Sequence, residues 1–188
     1  MPHDLSLVAS MTNTGVIKLY DIPEIKLVET EGHQFAHQEY NFTGKREKAE
    51  FVGLEEESFA LSWNKYKKGL LCSAAAQTIC IWTVDGGDGP TMKFENAHTD
   101  SIHDVKFSTH EQHGGHLLIS TSEDGHFKIW DVRNDAKNFT HAFKAGEDSL
   151  CVGQFNPINE NLFAVAGDST GQIQVWDLRM TQQAINIL

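Results

Sequence analysis

Three groups of side chains in this chain are of the types that catalysis and metal binding use. His98, Ser122 and Asp124 supply an imidazole, a hydroxyl and a carboxylate, the set from which hydrolases build a nucleophile, its base and an orienting acid. His33 and His37 stand four apart, which on a helix would put two imidazoles on one face and suit a metal. His110, His113 and His116 recur at every third position of "THEQHGGHLL". Neither histidine set is complete. No cysteine or further histidine joins the first pair, and the Gly114-Gly115 break denies the second a common face. No glycine-rich phosphate cradle precedes a helix, and "DGGDGP" (85–90) lies between two strand-like runs, as a turn does.

The elements that hold these residues recur along the chain. Four segments, "GVIKLYD", "QTICIWT", "HFKIWD" and "QIQVWD", end on Tyr20, Trp82, Trp130 and Trp176 or the residue after. The last two aromatic intervals are 48 and 46 residues and the first is 62, against the ~40–45 of a four-stranded propeller blade. Trp63, Phe107 and Phe155 occupy a second shared point, each at the end of a short alternating run. Apolar runs that finish in small residues follow: "GLLCSAA", "HLLISTS" and "NLFAVAG". Each unit therefore reads strand, strand, tight turn, strand, then a weaker fourth strand such as "TMKFEN" or "THAFKA". A lone four-stranded sheet cannot bury both faces. Stacking such sheets around an axis does, with aromatic wedges between them.

This predicts an all-β WD40 propeller of about three and a half blades. Residues 1–53 form the second half of a blade with a polar inserted loop at about 29–50; 54–96, 97–144 and 145–188 form one blade each. Within the 97–144 unit, spacing assigns His98, Ser122, Asp124 and Trp130 to a buried structural tetrad rather than to a hydrolase site. Around Trp82 the matching positions are Leu54, Ala74 and Ala76, an apolar solution. Around Trp176 they are Gly146, Asp168 and Thr170, an incomplete one.

Charge and composition bound the partners. Of 188 residues 40% are apolar, and 26 acids against 15 Lys and Arg give a net charge of -11. That balance disfavours direct contact with nucleic acid or anionic membrane and suits a basic peptide. Cys72, Cys80 and Cys151 are odd in number and unpaired in spacing, as expected of reduced thiols. No apolar run is long enough to span a bilayer, and the N-terminal ten residues lack the features of a signal peptide.

On "GLEEESFALSWN", "SAAAQTICIW", "AHTDSIHDVKFSTHE", "WDVRN" and "FNPINENLFAVAGDSTGQIQVWDLRM", the chain resembles the retinoblastoma-binding, MSI1-like histone chaperone family from Val8 onward. The resemblance implies a fragment of a seven-bladed ring in a non-catalytic scaffold subunit of nuclear chromatin complexes, with no cofactor. Its partners would be histones H3 and H4 and the other subunits. The implied channel-face residues are Glu55, Glu56, Glu57, Phe59, His103 and Cys151. A carboxylate at 57 and an aromatic at 59 suit Arg or Lys, whereas His103 and Cys151 stand where the family carries an acid and an amide. "LISTSEDGHFKIWDVR" also resembles the WDxR box of cullin–RING ligase substrate receptors. In that alternative Asp124, Trp130, Asp131 and Arg133 would face the ligase adaptor, with Arg179 in a second copy. A metal-dependent enzyme built on the histidine loops is the third reading.

Overall fold

The computed structural model describes residues 7–21, 46–54, 56, 60–87, 89–133, 139–146, 149–167, 171–180 and 182–188. Among them the regular structure is strand, apart from one 3-10 turn at Glu111–His113. Four antiparallel sheets follow one another along the chain. The first holds β1 (Leu7–Met11), β2 (Ile17–Asp21) and β3 (Arg46–Phe51). The second holds β4 (Ala60–Trp63), β5 (Leu70–Ala75), β6 (Thr78–Thr83) and β7 (Met92–Phe94). The third holds β8 (Ile102–Phe107), β9 (Leu117–Ser122), β10 (His126–Asp131) and β11 (His141–Lys144). The fourth holds β12 (Leu150–Phe155), β13 (Leu162–Gly167), β14 (Ile173–Asp177) and β15 (Asn186–Ile187). In each four-stranded sheet the strands lie in chain order, each paired with the next. This is part of a β-propeller.

No sheet has a core of its own. Leu7, Ile17, Leu19 and Phe51 of the first sheet pack with Leu71, Cys80 and Trp82 of the second. Cys72, Ile79, Ile81 and Phe94 of the second pack with Val105, Phe107, Leu118 and Trp130 of the third. Ile119, Phe127, Ile129 and Phe143 of the third pack with Phe155, Phe163, Val165 and Trp176 of the fourth. The alternation of a strand sends neighbouring residues to opposite faces, so Cys72 and Leu71, adjacent in β5, serve different cores.

The recurring aromatic is the wedge at each junction. Trp82 meets Phe51 with ring centroids 5.5 Å apart, Trp130 meets Phe94 at 5.0 Å, and Trp176 meets Phe143 at 5.6 Å. Each tryptophan thus packs on the outer-strand phenylalanine of the preceding sheet. Such a pair adds about 0.5–1.5 kcal/mol beyond the area it buries.

The expected inserted loop is shorter at its C-terminal end. Residues 22–45, including His33 and His37, lie outside the described residues, but Arg46–Phe51 is a strand paired with β2. Its polar text concealed it because an outer strand needs only one packed face. Phe51 supplies that face, while Glu47 and Glu50 reach Lys18 across the pair at 3.4 and 3.3 Å. No disulfide joins the cysteines. Cys72 and Cys80 are buried, and burial pushes both thiols well above their ordinary range.

Candidate functional site at the ends of the sheets

Strand direction sorts the loops into two ends. β8 runs away from residues 98–102 and finishes at Phe107, β9 returns to Ser122, and β10 leaves again to Asp131. One end, here the rim, therefore carries residues 98–103 and 122–126. The far end carries 108–117 and 131–133, some 15–20 Å away at about 3.3 Å per residue. In the second sheet the same logic places Leu54, Glu56, Ala60 and Ala76-Gln77 at the rim and 64–69 at the far end.

The polar network beneath the rim is continuous. The Trp130 indole N–H donates to Ser120 Oγ at 2.9 Å. His98 Nε2 lies 2.7 Å from the same oxygen, and its Nδ1 lies 3.0 Å from an oxygen of Asp124. One proton arrangement satisfies every member: indole to hydroxyl, hydroxyl to Nε2, Nδ1–H to carboxylate. Burial pushes the His98 pKa down to about 4 against the pull of Asp124, so the ring is neutral. Burial alone would push the Asp124 carboxyl up. The N–H groups of Thr99 and His126, with His98, bring it down to about 2.

The hydroxyl member is Ser120 and not Ser122, a correction to the sequence expectation. Ser122 Oγ instead donates to the Asp100 carbonyl at 3.1 Å and accepts from the Asp124 N–H. Trp130 pairs with Leu118, and its indole reaches diagonally to the residue two further along β9. Trp82 does the same from its partner Leu71 to Ser73, at 2.9 Å. The surroundings of Trp82 are therefore not wholly apolar as expected. Trp176 pairs with Phe163, so its diagonal position is Val165, and the indole donates to Gln174 Oε1 at 3.2 Å instead.

The fourth sheet keeps the frame of this network without its imidazole. Lys128 Nζ donates to the Ala97 carbonyl at 2.6 Å, and Gln174 Nε2 donates to the Ala145 carbonyl at 2.8 Å. Gly146 then occupies the place of His98. A cavity of about 110 Å³, lined by Gly146, Leu150, Val165 and Gln174 among others, lies there. Asp168 and Thr170, expected near it, lie outside the described residues.

At the rim itself, Glu56, Asp100 and Glu123 are exposed. His103, the second residue of β8, pairs with Glu123 at 3.1 Å. Cys151, the second residue of β12, is half-buried. Glu55, Glu57 and Phe59 lie outside the described residues. An open groove runs beside Glu56, lined by Gly53, Leu54, Ala75, Ala76, Thr78 and Lys93. Sequence reading missed Asp100 and Glu123, although both are acids in the turns that flank the tetrad.

The far end has a different chemistry. Arg133 donates from its backbone N and Nε to Asp131 Oδ1, each at 2.9 Å, and from Nη2 to Oδ2. Arg179 holds Asp177 in the same way, at 2.8 and 2.9 Å. These guanidinium bonds keep both carboxyls below the usual carboxylate range. Of the side chains that the WDxR resemblance turns toward an adaptor, Asp124, Trp130 and Asp131 are buried, while Arg133 and Arg179 are 61% and 69% exposed. The rings of His110 and His113 lie 5.6 Å apart, but the three loop histidines make no common site. His110 Nε2 meets the Ile158 carbonyl, His113 Nδ1 meets Ser108 Oγ, and His116 Nδ1 meets Lys67 Nζ. Among the described residues no group of three His, Cys, Asp or Glu could hold a metal ion.

The repeat unit itself matches a known family. Residues 89–131 fit the model described as "WD domain, G-beta repeat". The chain carries a WD40 repeat. The WD40 chain is 29% identical over 179 residues to histone acetyltransferase type B subunit 2 of Candida albicans, covering 95% of itself and 40% of that relative. It is 27% identical over 201 residues to WD-40 repeat-containing protein MSI3 of Arabidopsis thaliana, covering 100% of itself and 42% of the relative. It is 30% identical over 136 residues to ribosome assembly protein rrb1 of Schizosaccharomyces pombe, covering 70% of itself and 26% of the relative. The first two similarities fit the MSI1-like family. The WD40 chain spans about two fifths of the length of those relatives.

Proposed function

We propose that this WD40 chain belongs to a non-catalytic, histone-associated scaffold of nuclear chromatin complexes, and that its rim receives basic segments of histones H3 and H4. The observation that carries the reading is the set of exposed carboxylates, Glu56, Asp100 and Glu123, at one end of successive sheets, with an open groove beside Glu56. A net charge of -11 steers cationic peptides toward such a surface. The names of two relatives, a histone acetyltransferase subunit and MSI3, support the same reading. The non-catalytic assignment rests on Ser120, whose fully buried oxygen is already shared by His98 and Trp130, beyond the reach of a substrate.

Glu123 is the acid best placed to contribute. His103 holds it at the rim by a contact that a lysine or arginine could share, which gives the departure at 103 a role in positioning. Titration of labelled H3 and H4 N-terminal peptides at several salt concentrations tests the proposal. Affinity should fall as salt rises, and Glu123→Gln and Glu57→Ala should each weaken it about two- to fivefold, the scale of a partly exposed ion pair. Binding that ignores both salt and these substitutions would overturn it.

A further inference from the structure

The far end of the second and third sheets gathers cations in an otherwise acidic chain. The turn from Asn64 to Gly69 carries Lys65, Lys67 and Lys68. Lys67 Nζ lies 3.0 Å from His116 Nδ1. The Val132 N–H donates to the His116 carbonyl at 3.0 Å, and the charge of Arg133, next in sequence, is near enough to act on the His116 imidazole. An ammonium has only hydrogens to give, so Nδ1 must be the unprotonated nitrogen and Nε2 carries the ring proton. Burial, Lys67 and Arg133 all push the His116 pKa down, with Asp131 opposing.

The arrangement is built rather than adventitious. Asn64 is fully buried, donates from Nδ2 to the Gly115 carbonyl at 2.7 Å, and accepts from the N–H groups of Tyr66 and Lys67. Tyr66 OH donates to the Thr109 carbonyl at 2.7 Å. The lysine turn is thereby pinned to the loop that carries His116. Gly114, at φ +52°, leaves one edge of the imidazole uncovered, because a Cβ there would stand 3.6 Å from Nε2. The uncovered edge offers Nε2–H and the remaining Lys67 hydrogens. Asp131 takes Nε and Nη2 of Arg133, and among the described residues nothing takes Nη1. Every side-chain polar atom left over on Lys67, His116 and Arg133 is a donor.

We propose that Lys67, His116 and Arg133 form a site for a carboxylate side chain of an acidic peptide segment, at the opposite end of the sheets from the rim. Three donors, the Nη1 edge of the guanidinium that Asp131 leaves open and two point donors, suit a single two-oxygen anion. A peptide is favoured over nucleic acid because the cluster spans only two turns, and a net charge of -11 repels an extended polyanion. The site does not depend on the histone reading.

Fluorescence anisotropy of the full chain with a labelled short poly-glutamate peptide tests it, with a DNA duplex of equal charge as the second arm. Binding should weaken with salt. Lys67→Gln and Arg133→Gln should each reduce it about fivefold, and Lys93→Gln, remote on β7, should leave it unchanged. In the unsubstituted chain, saturating peptide should raise the His116 pKa read by NMR, a measurement that needs no variant to fold. Equal loss from Lys93→Gln, tighter binding of the duplex, or a His116 titration that the peptide does not move would each overturn the proposal.

Discussion

The Trp130 indole N–H and Ser120 Oγ are 2.9 Å apart across a diagonal of the β9–β10 pair, both fully enclosed. Trp82 and Ser73 repeat that relationship one sheet earlier without a histidine. The two sites differ in how many groups lean on the serine, so they form a natural comparison. Ser120→Ala strands both the indole and His98 Nε2 and should cost about 2–3 kcal/mol. Ser73→Ala strands only an indole and should cost about 1–2 kcal/mol. Ser122→Ala, which removes a turn contact, should cost less than Ser120→Ala. Denaturant midpoints of the three variants check the order, and equal losses at 120 and 122 would contradict the assigned network.

The blade architecture was legible in the sequence because aromatic wedges and small-residue strand ends recur with nearly constant spacing. The tetrad was legible except for its hydroxyl, and the reason is turn length. Strand pairing places Trp82 opposite the residue 11 before it, Trp130 opposite the residue 12 before it, and Trp176 opposite the residue 13 before it. Counting back a fixed number from each tryptophan therefore aligns Ser122 with Ala74. Counting along the ladder aligns Ser120 with Ser73. Two serines two apart share a face, so alternation alone could not choose between them. β3 was missed for another reason: its charged residues belong to an outer strand, where pairing is by backbone and solvent takes the side chains.

Acid should unfold the protein in two stages set by the same network. His98 binds a proton at about 4 when folded, against 6.5 for a free imidazole, so the unfolded chain takes up that proton first. Stability is then lost as pH falls from 6.5 to 4, by on the order of 3 kcal/mol. Asp124, at about 2 against 3.8, adds a further loss between those values. Chemical denaturation at a series of pH values should show the first slope, and His98→Gln should flatten it. An NMR titration in which His98 protonates near 6.5 would refute the assignment.

Thr121 carries the opposite defect. Its Oγ1 is buried and has no hydrogen-bond partner among the described residues. Thr121→Val keeps the shape and removes the unpaired hydroxyl, so it should stabilise the fold by about 1 kcal/mol, measured as a rise in melting temperature.

Gly115 has no room for a side chain without a shift of Asn64. Its φ is +72°, and a Cβ would stand 2.3 Å from Asn64 Oδ1. Gly115→Ala meets the about 1–2 kcal/mol of a left-handed backbone and must also displace Asn64, so a loss above 3 kcal/mol is expected. The Lys67–His116 contact should be lost with it, visible as a His116 pKa that rises toward 6.5.

Because every hydrophobic cluster is shared between consecutive sheets, no sheet can melt in private. The second and third are each clamped from two sides and should exchange their amide hydrogens slowly and together. A lesion at Trp82 or Trp130 would then travel both ways along the chain, like a slipped stave loosening its neighbours in a cask.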